Sequence, residues 1–273
     1  MNRPVAGVGN SGSPQDWFRD IPIITKILLV STLFTGAVSS FKLMNPMLFL
    51  FHWPLIYSKF EIWRFFTSFI FAGNFSFPFV IHLYMLYQNS LRYEMNPFNT
   101  GARGTSADYL WMLLFSMIPM CISAYIFELP VLSEPLLYVI MYVWSRREPE
   151  AQANIFGFKF QAIYLPWVYI AFRVLMGNSI VAPLIGIGAG HLYYFLVDVL
   201  PTSHGHNIIK TPEFCISFIE WCTGFTHPAN INAVPQTRRN GGGSGGDGGA
   251  GGGGGVFPRG GYNWGSGRTL GTR

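Results

Sequence analysis

The sequence predicts an all-α membrane protein with six spanning helices. Three observations carry that reading. Only 11% of the 273 residues are charged, while 50% are hydrophobic and 17% aromatic; soluble domains carry roughly 25% charged residues. Several apolar runs approach the ~20 residues that a spanning helix needs. The basic residues are also divided unevenly between the two sets of connections.

Taken in order, the spans cover about 22–41, 77–95, 107–126, 131–145, 158–176 and 180–200. The fourth is short. Pro119, Pro166 and Pro183 fall inside spans or at their edges, where neighbouring helices can re-satisfy freed carbonyls. The first apolar run follows a polar leader and is too long for a signal-peptide core, so it is read as a span. With a cytosolic N-terminus, 14 of the 18 Lys and Arg residues lie on the cytosolic side and 4 (Lys42, Lys59, Arg64 and Arg173) on the other. The positive-inside rule then expects both termini in the cytosol.

The chain divides into a leader (1–20), a membrane domain (21–200), a cytosolic surface helix (201–226) and a flexible tail (227–273). Residues 42–76 are too apolar for a solvated loop. Pro46, Pro54, Lys59, Glu61 and Arg64 speak against a straight span. Such a segment is expected in the plane of the interface, its apolar side in lipid. Within it, Trp63-Arg64 sets a cation among aromatic residues, where it must snorkel or pair. Asn74-Phe75-Ser76 is a glycosylation sequon, too near the second span to be used. Gln88, Asn89 and Ser90, with Arg92 and Glu94, give the second span a polar end. That end either lines a water-filled cavity or is ordinary helix-end solvation, and both readings stay open.

In the sixth span, Gly186 and Gly190 have the small-xxx-small spacing that lets helices approach closely. His191 follows them, within reach of a hydrogen bond to another helix. Thr211-Pro212-Glu213 reads as a helix start, with Thr211 as N-cap and Pro212 at N1. Phe214, Phe218, Trp221 and Phe225 recur near the helical period, as expected of a surface helix on the membrane. Cys121, Cys215 and Cys222 have no zinc or disulfide spacing. They read as packing residues, with palmitoylation of Cys215 or Cys222 as the minor alternative. No cofactor, metal site or nucleic-acid partner is expected. Gly241–Gly255 holds 12 glycines in 15 residues and reads as a flexible linker. Beyond it, Trp264 and Leu270 resemble anchors for a soluble partner.

The fourth span, LSEPLLYVIMYVWSRR, resembles that of the rhomboid superfamily. With DWFRDIPIITK, Trp63-Arg64, YQNSLRYE, DYLWMLLF, YVWSRREP, GHLYYFLVDVLP and NWGSGRTLG in this order, the chain resembles the derlins, rhomboid pseudoproteases of the endoplasmic reticulum (ER). The resemblance implies a rhomboid-like six-helix bundle, with the in-plane first loop entering one leaflet and a disordered cytosolic tail.

Active rhomboid proteases carry Gly-x-Ser-Gly in the fourth span and a His ahead of the sixth-span glycine motif. Here Ser133 is flanked by Leu132 and Glu134, and Pro183 occupies the place of that His. His191 lies eight residues on, about 12 Å along a helix, too far to substitute. The resemblance therefore implies no catalytic residues and no enzyme.

It implies instead a role in ER-associated degradation: retrotranslocation of misfolded proteins to the cytosol, aided by local membrane thinning. Trp264, Gly265, Gly267, Leu270 and Gly271 resemble a box that binds the valosin-containing AAA ATPase, with Trp264 where Phe is usual. Membrane lipids, an ER ubiquitin ligase membrane complex and misfolded substrates are the other implied partners, and self-assembly is left open. The alternatives are an intramembrane serine protease and a purely structural scaffold.

Overall fold

The computed structural model describes residues 18–155, 158–204 and 209–224. The described chain is mostly helical. Helix α1 spans Ile23–Ser40. The first loop folds into a 3-10 turn, Pro46–Leu48, and two short helices, α2 (Trp53–Lys59) and α3 (Arg64–Ile70). Next come α4 (Phe77–Met95), α5 (Ser106–Phe127) and α6 (Ser133–Arg147). A two-stranded antiparallel hairpin, β1 (Gln152–Ile155) and β2 (Phe158–Gln161), pairs Gln152 with Gln161. Helix α7 covers Leu165–Leu175 and α8 covers Val181–Tyr194. Helix α8 continues through a π-turn, Phe195–Val199, into α9 (Leu200–His204). Helix α10 spans Glu213–Thr223.

Helix α6 is the centre of the bundle. Every residue from Pro135 to Ser145 is buried. A helix apolar on all sides has no reason to face water or lipid preferentially, so its neighbours surround it. Its most extensive partner is α8, followed by α4, with α7, α5 and α3 completing the ring. The outer helices carry the opposite pattern. Val30, Leu33 and Phe34 on α1, and Ile118, Ile122 and Ile126 on α5, are exposed. Large apolar side chains facing outward on these helices suit a bundle whose solvent is hydrocarbon.

Among the described residues, Ile23–Ser40, Ser106–Phe127 and Val181–Ser203 are long and apolar enough to cross a membrane, and Ala162–Leu175 is a shorter apolar helix. The fifth span is therefore a correction. Residues 158–161, expected as helix, form β2, and helical structure begins only at Ala162. The pairing with β1 takes up those backbone groups, and Pro166 sits in the first turn of α7. The sixth span also differs: it runs four residues past 200, through Pro201. A proline ring clashes with the carbonyl four residues before it, here that of Val197. The π-turn over Phe195–Val199 widens the helix at that place and lets it continue.

Helix α10 begins one residue later than expected. Pro212 stands at its cap, with no side-chain cap bond. Thr211 is buried, and its hydroxyl donates to Asp108 instead.

Candidate functional site

The seam between α6 and α8 is the closest helix approach near the candidate residues. A Cβ added to Gly186 would lie 2.3 Å from the Pro135 carbonyl oxygen and 2.7 Å from the Tyr138 Cβ. One added to Gly190 would meet the Tyr142 ring at 3.2 Å and the Val139 carbonyl oxygen at 3.3 Å. Gly188, between them, faces open space. The two outer glycines thus set the backbone of α8 against α6, while the middle one points away.

At the end of this seam His191 Nδ1 is 2.7 Å from the Tyr142 hydroxyl. Arg146 Nε donates to the same hydroxyl at 3.0 Å, and its guanidinium lies over the Tyr142 ring. Arginine can only donate, so the Tyr142 oxygen accepts from Arg146 and also meets His191 Nδ1. The Ser133 hydroxyl is buried and donates to the Phe71 carbonyl at 2.9 Å. The structure therefore joins Gly186, Gly190 and His191 to α6, but engages Ser133 with the end of α3.

Trp63 and Arg64 separate in role. The Trp63 side chain is about half exposed, whereas Arg64 is 3% exposed. The Arg64 Nε pairs with Glu61, and one terminal nitrogen donates to the carbonyls of Met47 and Leu50, the latter at 2.8 Å. A bifurcating guanidinium thereby ties α3 to the 3-10 turn. The loop is further fastened to the α5–α6 connection by Phe51 N to Pro130 O and Leu132 N to Ser68 O. The cation pairs rather than snorkels.

Asn89 and Ser90 are buried, and Gln88 is half-buried. Asn89 donates to the Met85 carbonyl, and Ser90 bonds both Thr25 and the Tyr109 hydroxyl. Ser90 is thereby held between helices α1, α4 and α5, while Asn89 is buried and bonds within its own helix. Polar pairing accounts for their presence: a hydroxyl buried among helices needs partners.

Two acidic residues organise the same end of the bundle: Glu94, read from the sequence only as part of a polar helix end, and Asp108, which the sequence reading did not name. Glu94 accepts from the backbone N–H of Ile24 at 2.9 Å and of Thr25 at 2.7 Å, and from the Thr25 hydroxyl. It caps α1 from α4, supplying an anion where helix N–H groups have no partner. Asp108, fully buried, accepts from Thr100, Ala102 and Gly104 backbone N–H groups and from the hydroxyls of Thr100 and Thr211. It thereby fastens the α4–α5 loop and the approach to α10. An acid in the first helical turn, three residues after Thr105, was the available signal for Asp108. Glu94 had none, because its partner lies 69 and 70 residues away.

Helix α10 buries Cys215 beside Ala102 and Ala107 and leaves Phe214, Phe218 and Trp221 exposed. Burial, with Asp108 nearby, pushes the Cys215 thiol up to about 11. Among the described residues no cluster of His, Cys, Asp or Glu is arranged to hold a metal ion. The box residues Trp264, Gly265, Gly267, Leu270 and Gly271 lie outside the described residues.

Residues 21–213 match the Der1-like family. The chain belongs to that family. It is 36% identical over 205 residues to Derlin-1.2 of Zea mays, covering 74% of this chain and 83% of that protein. It is 35% identical over 208 residues to the probable derlin-2 homolog of Dictyostelium discoideum, covering 73% and 80%. Against human Derlin-1 the match is 34% over 265 residues, covering 94% and 97%. The molecule is thus a derlin-type, rhomboid-like helical membrane protein.

Proposed function

We propose that this chain is a non-catalytic derlin-type factor of ER-associated degradation. It sits in the ER membrane with both termini cytosolic and helps misfolded proteins cross to the cytosol. The observation that carries this reading is the short outer helix α7. It holds 11 residues and exposes Trp167, Val174 and Leu175. At 1.5 Å per residue it is about 17 Å long, against about 30 Å of hydrocarbon. A lipid-facing helix shorter than the bilayer core thins it locally. A thinner layer lowers the cost of moving polar backbone across. The apolar first loop, stapled by Arg64 and carrying exposed Trp63, adds to that disturbance.

The non-proteolytic reading draws support from the Ser133 bond to Phe71 and the His191 bond to Tyr142. Trp264 to Gly271 would then recruit the valosin-containing AAA ATPase on a glycine-rich tether, close to an ER ubiquitin ligase membrane complex.

Reconstitution of the purified chain in nanodiscs, imaged by electron cryomicroscopy, tests the central claim. A bilayer of undisturbed thickness beside α7 would remove the thinning mechanism. Alanine at both Trp264 and Leu270 should abolish pull-down of the ATPase while the membrane fold persists; undiminished pull-down would remove the docking role. An intramembrane protease is the runner-up, and cleavage of a transmembrane reporter that disappears in Ser133→Ala would revive it. A pure scaffold would leave both bilayer thickness and substrate passage unchanged in proteoliposomes.

A further inference from the structure

At the opposite end of the bundle from Glu94, a cavity of about 360 Å³ opens between the start of α4, the start of α6 and the end of α7. Its wall carries Glu134 and Arg173, which form an ion pair, together with His82 and the rings of Phe77, Tyr169 and Phe172. Each charge complements its own helix terminus, acid in the first turn and base in the last. Dipole complementation alone leaves two features unexplained. The pair meets through one guanidinium nitrogen, and the Arg173 Nε is buried with no partner among the described residues. The Tyr138 hydroxyl, on the ring that packs against Tyr169, is likewise buried without one. Buried donors of this kind mark a place where an acceptor is missing.

We propose that this cavity binds the headgroup of a zwitterionic phospholipid. The chemistry matches on both signs. Arg173 offers donors to a phosphate, and Glu134 offers a carboxylate to the neighbouring ammonium. The aromatic walls favour the same cation through their ring faces. An anionic headgroup satisfies Arg173 but sets a negative charge with no cation against Glu134. Diacylglycerol offers neither charge. The mouth is apolar and exposed: Phe77 is 68% and Met176 57% exposed. These residues would meet acyl chains as they leave the headgroup. The cavity lies at helix ends, the depth where headgroups sit, and its size suits a small polar ligand. The inference does not depend on the function proposed above.

The test uses the full chain, delipidated in detergent and titrated with short-chain phosphatidylcholine, phosphatidylethanolamine, phosphatidylglycerol or diacylglycerol, with binding read by native mass spectrometry. The two zwitterionic lipids should bind at least tenfold more tightly than the other two. Arg173→Gln should reduce them to the diacylglycerol level. Glu134→Gln should raise phosphatidylglycerol to the phosphatidylcholine level. Should either variant fail to fold, the wild-type ranking still decides. Equal binding of all four, a preference for phosphatidylglycerol, or displacement by an apolar transmembrane peptide without headgroup preference overturns the proposal.

Discussion

The Tyr142 hydroxyl bridges Arg146 and His191, so that a residue of α8 and one a helical turn along α6 share a single oxygen. The bridge closes a seam whose tightness depends on Gly186 and Gly190. Gly186→Ala should therefore be costly. Its methyl would meet the Pro135 carbonyl, which is backbone and cannot rotate away. We expect a loss of about 2–3 kcal/mol from overpacking. Gly188→Ala, which meets nothing, should be neutral or slightly stabilising through helix propensity. Equilibrium unfolding in mixed detergent micelles distinguishes them; equal effects would mean that the seam does not set the packing.

The bridge itself is worth less. Tyr142→Phe and His191→Ala should each cost about 0.5–1.5 kcal/mol, and the double variant should cost less than their sum, because they lose the same bond. A double-mutant cycle measured in the same way gives the coupling, and additive losses would deny it.

Glu94→Gln keeps the shape of the side chain but removes the charge that caps α1. Hydrogen bonds to a charged group contribute about 1.5–3 kcal/mol, so a loss near 2 kcal/mol is expected. Amide exchange should rise at Ile24 and Thr25 before it rises in α6. Unchanged exchange there would contradict the cap.

Arg64→Lys retains the cation but loses the fork that reaches Glu61, Met47 and Leu50 at once. The first loop should loosen while the bundle stays folded. Limited proteolysis between Asn45 and Ile62 should speed up severalfold, with Tm shifted little. A collapse of the whole fold would instead make Arg64 a core residue of the bundle.

Cys215 should react slowly with maleimide at pH 7.5, and Cys222, half-buried, should react first. Because the folded thiol is held at about 11 against an ordinary 9.0, the folded chain keeps a proton that the unfolded chain releases between those values. The contribution of Cys215 to stability should therefore be constant below pH 9 and fall from about 9 to 11. Cys215→Ser should flatten that fall. Lipid attachment at Cys215 would require α10 to detach first.

Much of the helical plan was legible from apolar run length. The second span was expected at 77–95, the range that α4 occupies, and the structure shows Ser76 capping its start. The fifth began too early because Phe158 and Phe160 of β2 adjoin the apolar helix that follows, and two aromatic residues do not distinguish a strand in a hairpin from the first turn of a span. The polar residues were harder still. For the polar end of the second span the sequence left a water-filled cavity and helix-end solvation both open, whereas Ser90 is buried against Thr25 and Tyr109, 65 and 19 residues away.

By itself, the sequence determined that this chain is a helical membrane protein, where most helices lie, and through its ordered motifs that it resembles the derlins. Those properties are local: they follow from hydropathy, helix signals and short patterns read along the chain. Only the tertiary structure decided that Arg64 staples the first loop, that Glu94 caps a helix 70 residues away, and that Glu134 and Arg173 meet across a cavity. The physical reason is that a charge in low dielectric must find its partner in space. Nothing in the residues beside it says where that partner will be.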